Sequence, residues 1–223
     1  METPRERRHR RGLNEQLAAI GPLVVVWAVG MGVLWVAANQ RRVPLDYIFL
    51  DPATLSGRPW YTGILHEAGV FFWSVAAVTA LGGAWVSHLT GRIAASRFLA
   101  TGGLLSMMLF GDELLEVHAR LAPAVGIPKS VAILTIVAVS AIWALASLRQ
   151  ITRTRWLVLA SSLTALAISV LVDHIRPGTS LSVLAEDAPK LLGEAAWATY
   201  FVTTAADIVR SAVTGSAAAT PLP

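Results

Sequence analysis

Cysteine is absent from this chain of 223 residues, and its absence excludes disulfides, thiolate metal sites and thiol nucleophiles. Charge is scarce as well: Asp, Glu, Lys and Arg make up 14% of the residues, against about 25% in a soluble domain. Hydrophobic residues make up 55%, and the mean hydropathy is +0.60. The sequence therefore predicts a membrane protein, in which any metal site must use His, Asp, Glu or backbone oxygens.

Several enzyme motifs are missing too. The chain has no HExxH helix, no P-loop, no GxSxG elbow and no GxGxxG turn, which mark zinc proteases, nucleotide-binding proteins and serine hydrolases. Neither Glu113 nor Glu116 begins the Glu-x-x-His pair of di-iron bundles. The net charge of +4 indicates arginines that flank membrane spans, and a nucleic-acid partner is not predicted.

Six apolar stretches are long enough to cross a bilayer core, which needs about 20 residues. They lie near 20–39, 68–88, 96–116, 130–148, 156–174 and 188–210. The first follows the basic segment RERRHRR and is longer than the core of a signal peptide, so it is interpreted as an uncleaved span. We therefore predict an all-α polytopic transmembrane helix bundle at 20–210, a basic cytoplasmic segment at 1–19 and a disordered cytoplasmic tail at 211–223.

The distribution of Lys and Arg predicts the orientation. With the amino terminus inside, eleven of the eighteen basic residues fall in cytoplasmic segments, as the positive-inside rule expects. These are Arg5, Arg7, Arg8, Arg10, Arg11, Arg92, Arg97, Arg149, Arg153, Arg155 and Arg210. Both termini are then cytoplasmic, and the protein lies in the cell (plasma) membrane. An outer aromatic belt is predicted from Trp60, Tyr61, Trp73 and Trp197.

Acids and histidines at the outer ends of several spans predict a shared polar site near the outer leaflet. They come from the segments LFGDELLEVHARL, LVDHIRPG and AEDAPKLLGEAAW. The predicted metal ligands are Asp112, Glu116, His118, Asp173, His174, Glu186 and Asp187. The predicted catalytic residues are Glu113, Lys190 and Glu194.

Helical geometry places three of these acids on one arc. At 100° per residue, Asp112, Glu116 and Glu113 fall at about 0°, 40° and 100°. Carboxylates that close repel each other, so a metal, a basic side chain or a shared proton is needed. His118 falls near about 240° on the same wheel, so it joins the site only if the helix unwinds there or if its partner lies on another face.

Two other segments leave alternatives open. Asp187, two residues before Pro189, is a candidate N-cap of the sixth span. Lys190 lies four residues from both Glu186 and Glu194, and this stripe predicts either an internal ion pair or a carboxylate used for proton transfer. At the entry to the second span, His66 and Glu67 predict either a fourth wall of the site or a polar helix start.

The ordered segments DELLEVH, VLVDH and EDAPKLLGEAAW resemble a group of uncharacterised six-span bacterial membrane proteins. Their pattern is Asp-Asp, then Leu-His-Glu, an isolated Asp, and Glu-Asp-x-x-Lys-Leu-Leu-Gly with a Trp four residues on. The matching positions are Asp112, His118, Asp173, Glu186, Asp187, Lys190, Leu191, Leu192, Gly193 and Trp197. Glu113 replaces the second Asp, and Ala119 stands where the acid after the His would be, a loss for which we expect Glu116 to substitute. The resemblance therefore indicates which positions matter for function, but it does not indicate an activity.

Three functions remain open. The first is a membrane enzyme in which a divalent metal (Zn, Mn, Fe or Mg) activates water and acts on a lipid or lipid-linked substrate, with Lys190 neutralising phosphate. The second is a proton- or cation-coupled transporter, although no inverted repeat is visible in the sequence. The third is a non-catalytic membrane subunit or sensor. The lipid bilayer is the one partner that all three share.

Overall fold

The computed structural model describes residues 56–59, 63–175 and 180–218, and the isolated positions 28, 29, 32 and 36. For 173–175, 180–186 and 213–218 the description covers the backbone alone. The chain divides into two compact units, Met1–Thr62 and Gly63–Pro223, and the second contains the helices discussed below. Every regular element in this described part is helical, which confirms the all-α prediction there.

Five long helices form the described part of the second unit. They are α1 (Ile64–Leu89), α2 (Ile93–Leu115), α3 (Lys129–Ala146), α4 (Trp156–Ile175) and α5 (Ser180–Ala218). A π-helical turn, Val117–Leu121, and the short helical pieces Ala122–Ala124 and Leu148–Ile151 connect them. Helices α1 to α4 coincide with the second to fifth predicted spans within a few residues, and the sixth lies inside α5. The first predicted span falls outside the described residues apart from four helical positions.

Three of the helices, α1, α2 and α3, are long and apolar enough to cross a membrane. Helix α4 carries a shorter apolar stretch, Trp156–Val172. The side chains of α3 are largely unburied within the fold, as expected for a helix that faces lipid. Three long apolar helices support the prediction of a membrane protein, whereas the number of six spans remains a prediction.

Close helix contacts hold the described bundle together. Helix α1 packs against both α2 and α5, and α4 packs against α5. A Cβ at Gly193 of α5 would lie 2.7 Å from Cγ of Leu166 on α4, and one at Gly102 of α2 would lie 2.5 Å from Cε1 of Phe201 on α5. Small residues of this kind let helix backbones approach in a membrane, where dispersion contacts drive association.

An aromatic cluster, defined here as Trp73, Trp143, Trp197 and Phe201, forms the centre of the bundle. The ring centroid of Trp197 lies 5.6 Å from that of Trp73, 5.7 Å from that of Trp143 and 5.5 Å from that of Phe201. Its indole Nε1 donates to Oγ of Ser106 at 2.9 Å. Trp73 and Trp197 are therefore buried in the core, and their assignment to an outer aromatic belt is wrong.

Helix α5 begins earlier than predicted. Its first residue is Ser180, so Asp187 and Pro189 both lie inside the helix, and the prediction of Asp187 as an N-cap is wrong. The residues before Pro189 include Leu, Ala and Glu, which favour helix. Proline removes one backbone hydrogen bond, and here that loss does not end the helix.

Helix α2 ends at Leu115 because Glu116 adopts a left-handed backbone conformation, with φ 47° and ψ 45°. Among the described residues, Glu116 is the one non-glycine position with positive φ. This conformation costs about 1–2 kcal/mol for an L-residue. It turns the chain into the π-helical segment, and it decides where the acids of this stretch point.

Candidate functional site

Three helices meet at the carboxyl group of Glu113 on α2. Lys190 of α5 places Nζ 2.6 Å from Oε1 of Glu113, and His66 of α1 places Nδ1 3.0 Å from the same oxygen. The Glu113 side chain is 8% exposed, whereas those of Lys190 and His66 are 33% and 40% exposed. The buried carboxyl therefore contacts two basic side chains that are both more exposed than it is.

Glu194 lies one helical turn beyond Lys190 and is almost completely buried, with 2% of its surface exposed. The indole Nε1 of Trp73 donates to its Oε1 at 3.3 Å. A Cβ at Gly69 would lie 2.4 Å from Oε2 of Glu194, so the absence of a side chain at Gly69 makes room for this carboxyl group. Helix α1 thus supplies both the space and a hydrogen-bond donor.

We call His66, Glu113, Lys190 and Glu194 the Glu113 site. Its two acids are buried, and its one permanent cation is Lys190. Removing an ion from water costs several kcal/mol even after the protein relaxes. A second ionised carboxyl would therefore leave a surplus negative charge in the bundle unless His66 is protonated, or unless a proton or cation is bound. A site with these side chains can take up and release a proton.

Asp112 and His118 form a separate pair next to this site. The backbone N–H of His118 donates to Oδ1 of Asp112 at 3.0 Å, and Nδ1 of His118 lies 2.6 Å from Oδ2. The pair forms because the helix unwinds at Glu116. From the sequence alone, His118 could join the site only through such an unwinding or through a partner on another face. A metal-binding role for the two residues remains a prediction.

The predicted arc of three carboxylates is not observed. Asp112 contacts His118, Glu113 contacts Lys190, and the partly exposed Glu116 pairs with Arg120. The helical wheel assumed a continuous α-helix through Glu116. The left-handed backbone of Glu116 breaks that helix, so the wheel does not predict where its side chain points. Glu116 contacts Arg120 and no member of the acid cluster, and its substitution for the acid missing at Ala119 stays a prediction.

A metal centre is likewise not supported. The described residues include no group of three or more His, Asp or Glu side chains that could hold a metal ion. Asp112, Glu116 and His118 have the partners given above, and Asp187 is exposed on α5. The side chains of Asp173, His174 and Glu186 lie outside the described residues, so their predicted role as ligands stays a prediction.

Sequence reasoning missed Gly69, placed Trp73 in an aromatic belt, and left open whether His66 belongs to the site. In the structure His66 contacts Glu113. A signal for them does exist. His66, Gly69 and Trp73 are spaced three and then four residues apart, which puts them on one face of α1. A polar residue, a residue without a side chain and an indole on one helix face indicate a buried polar neighbour.

Comparison with known proteins gives a family and no activity. No curated protein and no solved structure matches this chain. A family described as a domain of unknown function, DUF8692, matches residues 17–204. That range includes every residue of the Glu113 site. A family of unknown function is consistent with the expected uncharacterised family, and the motif pattern stays a prediction. Because the match covers well over half of the sequence, the chain belongs to the DUF8692 family.

Proposed function

We propose that this chain is a proton-coupled membrane transporter whose Glu113 site binds and releases the coupling proton. The observation that carries the proposal is Glu194, a carboxyl group 2% exposed whose neighbouring lysine is already paired with another acid. Ionisable residues inside a membrane bundle are costly, and they mark proton and ion pathways by default. The remaining members of the site fit that role.

The four residues form a graded route from water to the interior. His66 is 40% exposed and contacts Glu113, which contacts Lys190. Glu194 follows Lys190 by four residues, about 6 Å further along the helix axis. A proton that enters at His66 therefore meets acids that are progressively more buried, and it ends next to the indole of Trp73.

This arrangement favours a transporter over a metal-dependent lipid enzyme. Asp112, Glu113 and Glu116 pair with basic side chains, and Glu194 accepts from an indole. In a metal enzyme, ligands from several elements would converge on one point, and the described residues form no such group.

The test is an infrared pH titration of the purified full-length protein. The signal of Glu194 is the difference between the wild type and Glu194→Gln, a variant that keeps an oxygen for the Trp73 N–H. We expect this carboxyl signal to change reversibly with pH, and we expect Lys190→Met to shift its titration. Asp187→Asn, which removes an exposed acid from the same helix, is the control and should leave the Glu194 signal intact. A Glu194 carboxyl group that stays in one protonation state at every pH at which the protein is folded contradicts the proposal.

We further propose that the chain spans the plasma membrane six times with both termini in the cytoplasm. The charge distribution supports this orientation, and α1 to α3 supply three helices of sufficient length. Since the chain has no cysteine, single cysteines can be introduced without background. In intact cells we expect Glu67→Cys to react with an impermeant maleimide and Arg97→Cys to react only after lysis. The reverse pattern would invert the topology.

A further inference from the structure

A second polar site lies at the other end of the bundle. A cavity of about 170 Å³ is lined by Arg153, Thr154, Thr204, Asp207, Ile208 and Ser211, and we call it the Arg153 cavity. Thr204 follows Glu194 by ten residues on α5, about 15 Å along the helix axis. Trp197 and Phe201 of the aromatic cluster lie between them. The cavity therefore does not belong to the Glu113 site.

One hydroxyl group in this cavity lacks a partner. Thr204 is 1% exposed, and its Oγ1 has no hydrogen-bond partner among the described residues. Threonines in helices usually donate to the carbonyl oxygen four residues earlier, and Thr135, Thr199 and Thr203 do so here. The hydroxyl of Thr204 does not, although a buried polar group is nearly always hydrogen-bonded. The neighbouring Tyr200 side chain interacts with it, and its oxygen has almost no exposed surface, so the hydroxyl reaches a ligand in the cavity only after the Thr204 side chain rotates.

The charge around the cavity is positive. The carboxylate of Asp207 is neutralised by Arg155, whose Nε and Nη2 both lie 3.2 Å from Oδ2. Arg92 donates to the hydroxyl and the carbonyl of Ser211. Arg153 is exposed at the rim, and no acid among the described residues forms an ion pair with it. Three guanidinium groups thus lie around one carboxylate, and the surplus positive charge favours the binding of an anion.

We propose that the Arg153 cavity binds a phosphate group, with the guanidinium of Arg153 and the hydroxyl of Thr204 as donors. Guanidinium groups match the geometry of phosphate oxygens. The volume corresponds to about six water molecules at about 30 Å³ each, which is room for one tetrahedral oxyanion. Phosphate at this end of the bundle has two sources, a soluble phosphate and an anionic lipid headgroup, since the end is predicted to be cytoplasmic.

The experiment measures binding to the full-length protein in a non-ionic detergent. One arm titrates inorganic phosphate by calorimetry, and the other titrates short-chain phosphatidic acid, with short-chain phosphatidylcholine, which has no net charge, as the comparison. We expect Arg153→Gln to weaken binding about tenfold. We expect Thr204→Val to weaken it several-fold and Thr204→Ser to restore it. Arg149→Gln removes an exposed arginine that does not line the cavity, and it should bind like the wild type.

The two arms identify the source of the phosphate. Saturable binding of inorganic phosphate assigns the site to a soluble anion, and binding of phosphatidic acid alone assigns it to a lipid headgroup. The proposal is overturned if neither ligand binds. It is also overturned if Arg153→Gln and Arg149→Gln weaken binding equally, because that result indicates general charge attraction, or if folded Thr204→Val binds like the wild type.

Discussion

Replacement of Trp197 by alanine lowers the free energy of unfolding by about 3–5 kcal/mol, the range for truncating a buried aromatic side chain. Trp197 is 1% exposed and contacts three aromatic rings from α1, α3 and α5. Its loss also leaves the hydroxyl of Ser106 without the indole donor. The alanine variant therefore loses packing at the point where three helices meet.

Trp156→Ala is the matched control for this prediction, because Trp156 is also a tryptophan in an apolar helix but is 49% exposed. Denaturant unfolding in detergent, followed by circular dichroism, gives the free energy for each variant. Trp197→Phe keeps the ring contacts and removes the Ser106 hydrogen bond, so its loss of stability should be about 1 kcal/mol plus the smaller ring volume. Equal stability of Trp197→Ala and Trp156→Ala contradicts a central role for the cluster.

Lys190→Met destabilises the protein by about 3 kcal/mol, near the lower end of the range for breaking a buried ion pair. The lower end applies because the Lys190 side chain is 33% exposed, while that of Glu113 is 8% exposed. Without the ammonium group, the carboxylate of Glu113 keeps His66 alone as a basic partner. The loss of stability arises from this uncompensated charge.

The double variant Lys190→Met/Glu113→Gln separates charge from packing. It removes both ions, so we expect it to recover most of the stability that Lys190→Met loses. Arg120→Met is the control, since its ion pair with Glu116 is largely exposed and contributes less than about 1 kcal/mol. The same unfolding assay measures all three variants. A double variant no more stable than Lys190→Met argues that the lysine acts through its methylene chain instead.

Helices α1 to α4 could be predicted from the sequence because each contains an apolar run, whereas α5 begins at Ser180, before its predicted apolar run. The partner of Glu113 could not, because Lys190 is 77 positions away and a helical wheel relates only residues of one helix. The wheel also failed at Glu116, where a non-glycine residue takes positive φ, a conformation that composition does not signal. His118 illustrates both outcomes: its contact with Asp112 depends on an unwinding that the sequence allowed and could not establish.

The position of Glu194 along α5 has an electrical consequence. If the sixth span begins at residue 188 as predicted, Glu194 lies about 9 Å inside the hydrocarbon core, which is roughly a third of its 30 Å thickness. An elementary charge that crosses the whole membrane gains about 2.3 kcal/mol per 100 mV. A proton moving to Glu194 from that surface then senses about 0.7 kcal/mol per 100 mV, so its occupancy of the site changes about threefold over that range of membrane potential. Lys190, at the boundary, senses almost none of the field, and one helical turn thus separates a voltage-independent charge from a voltage-dependent one.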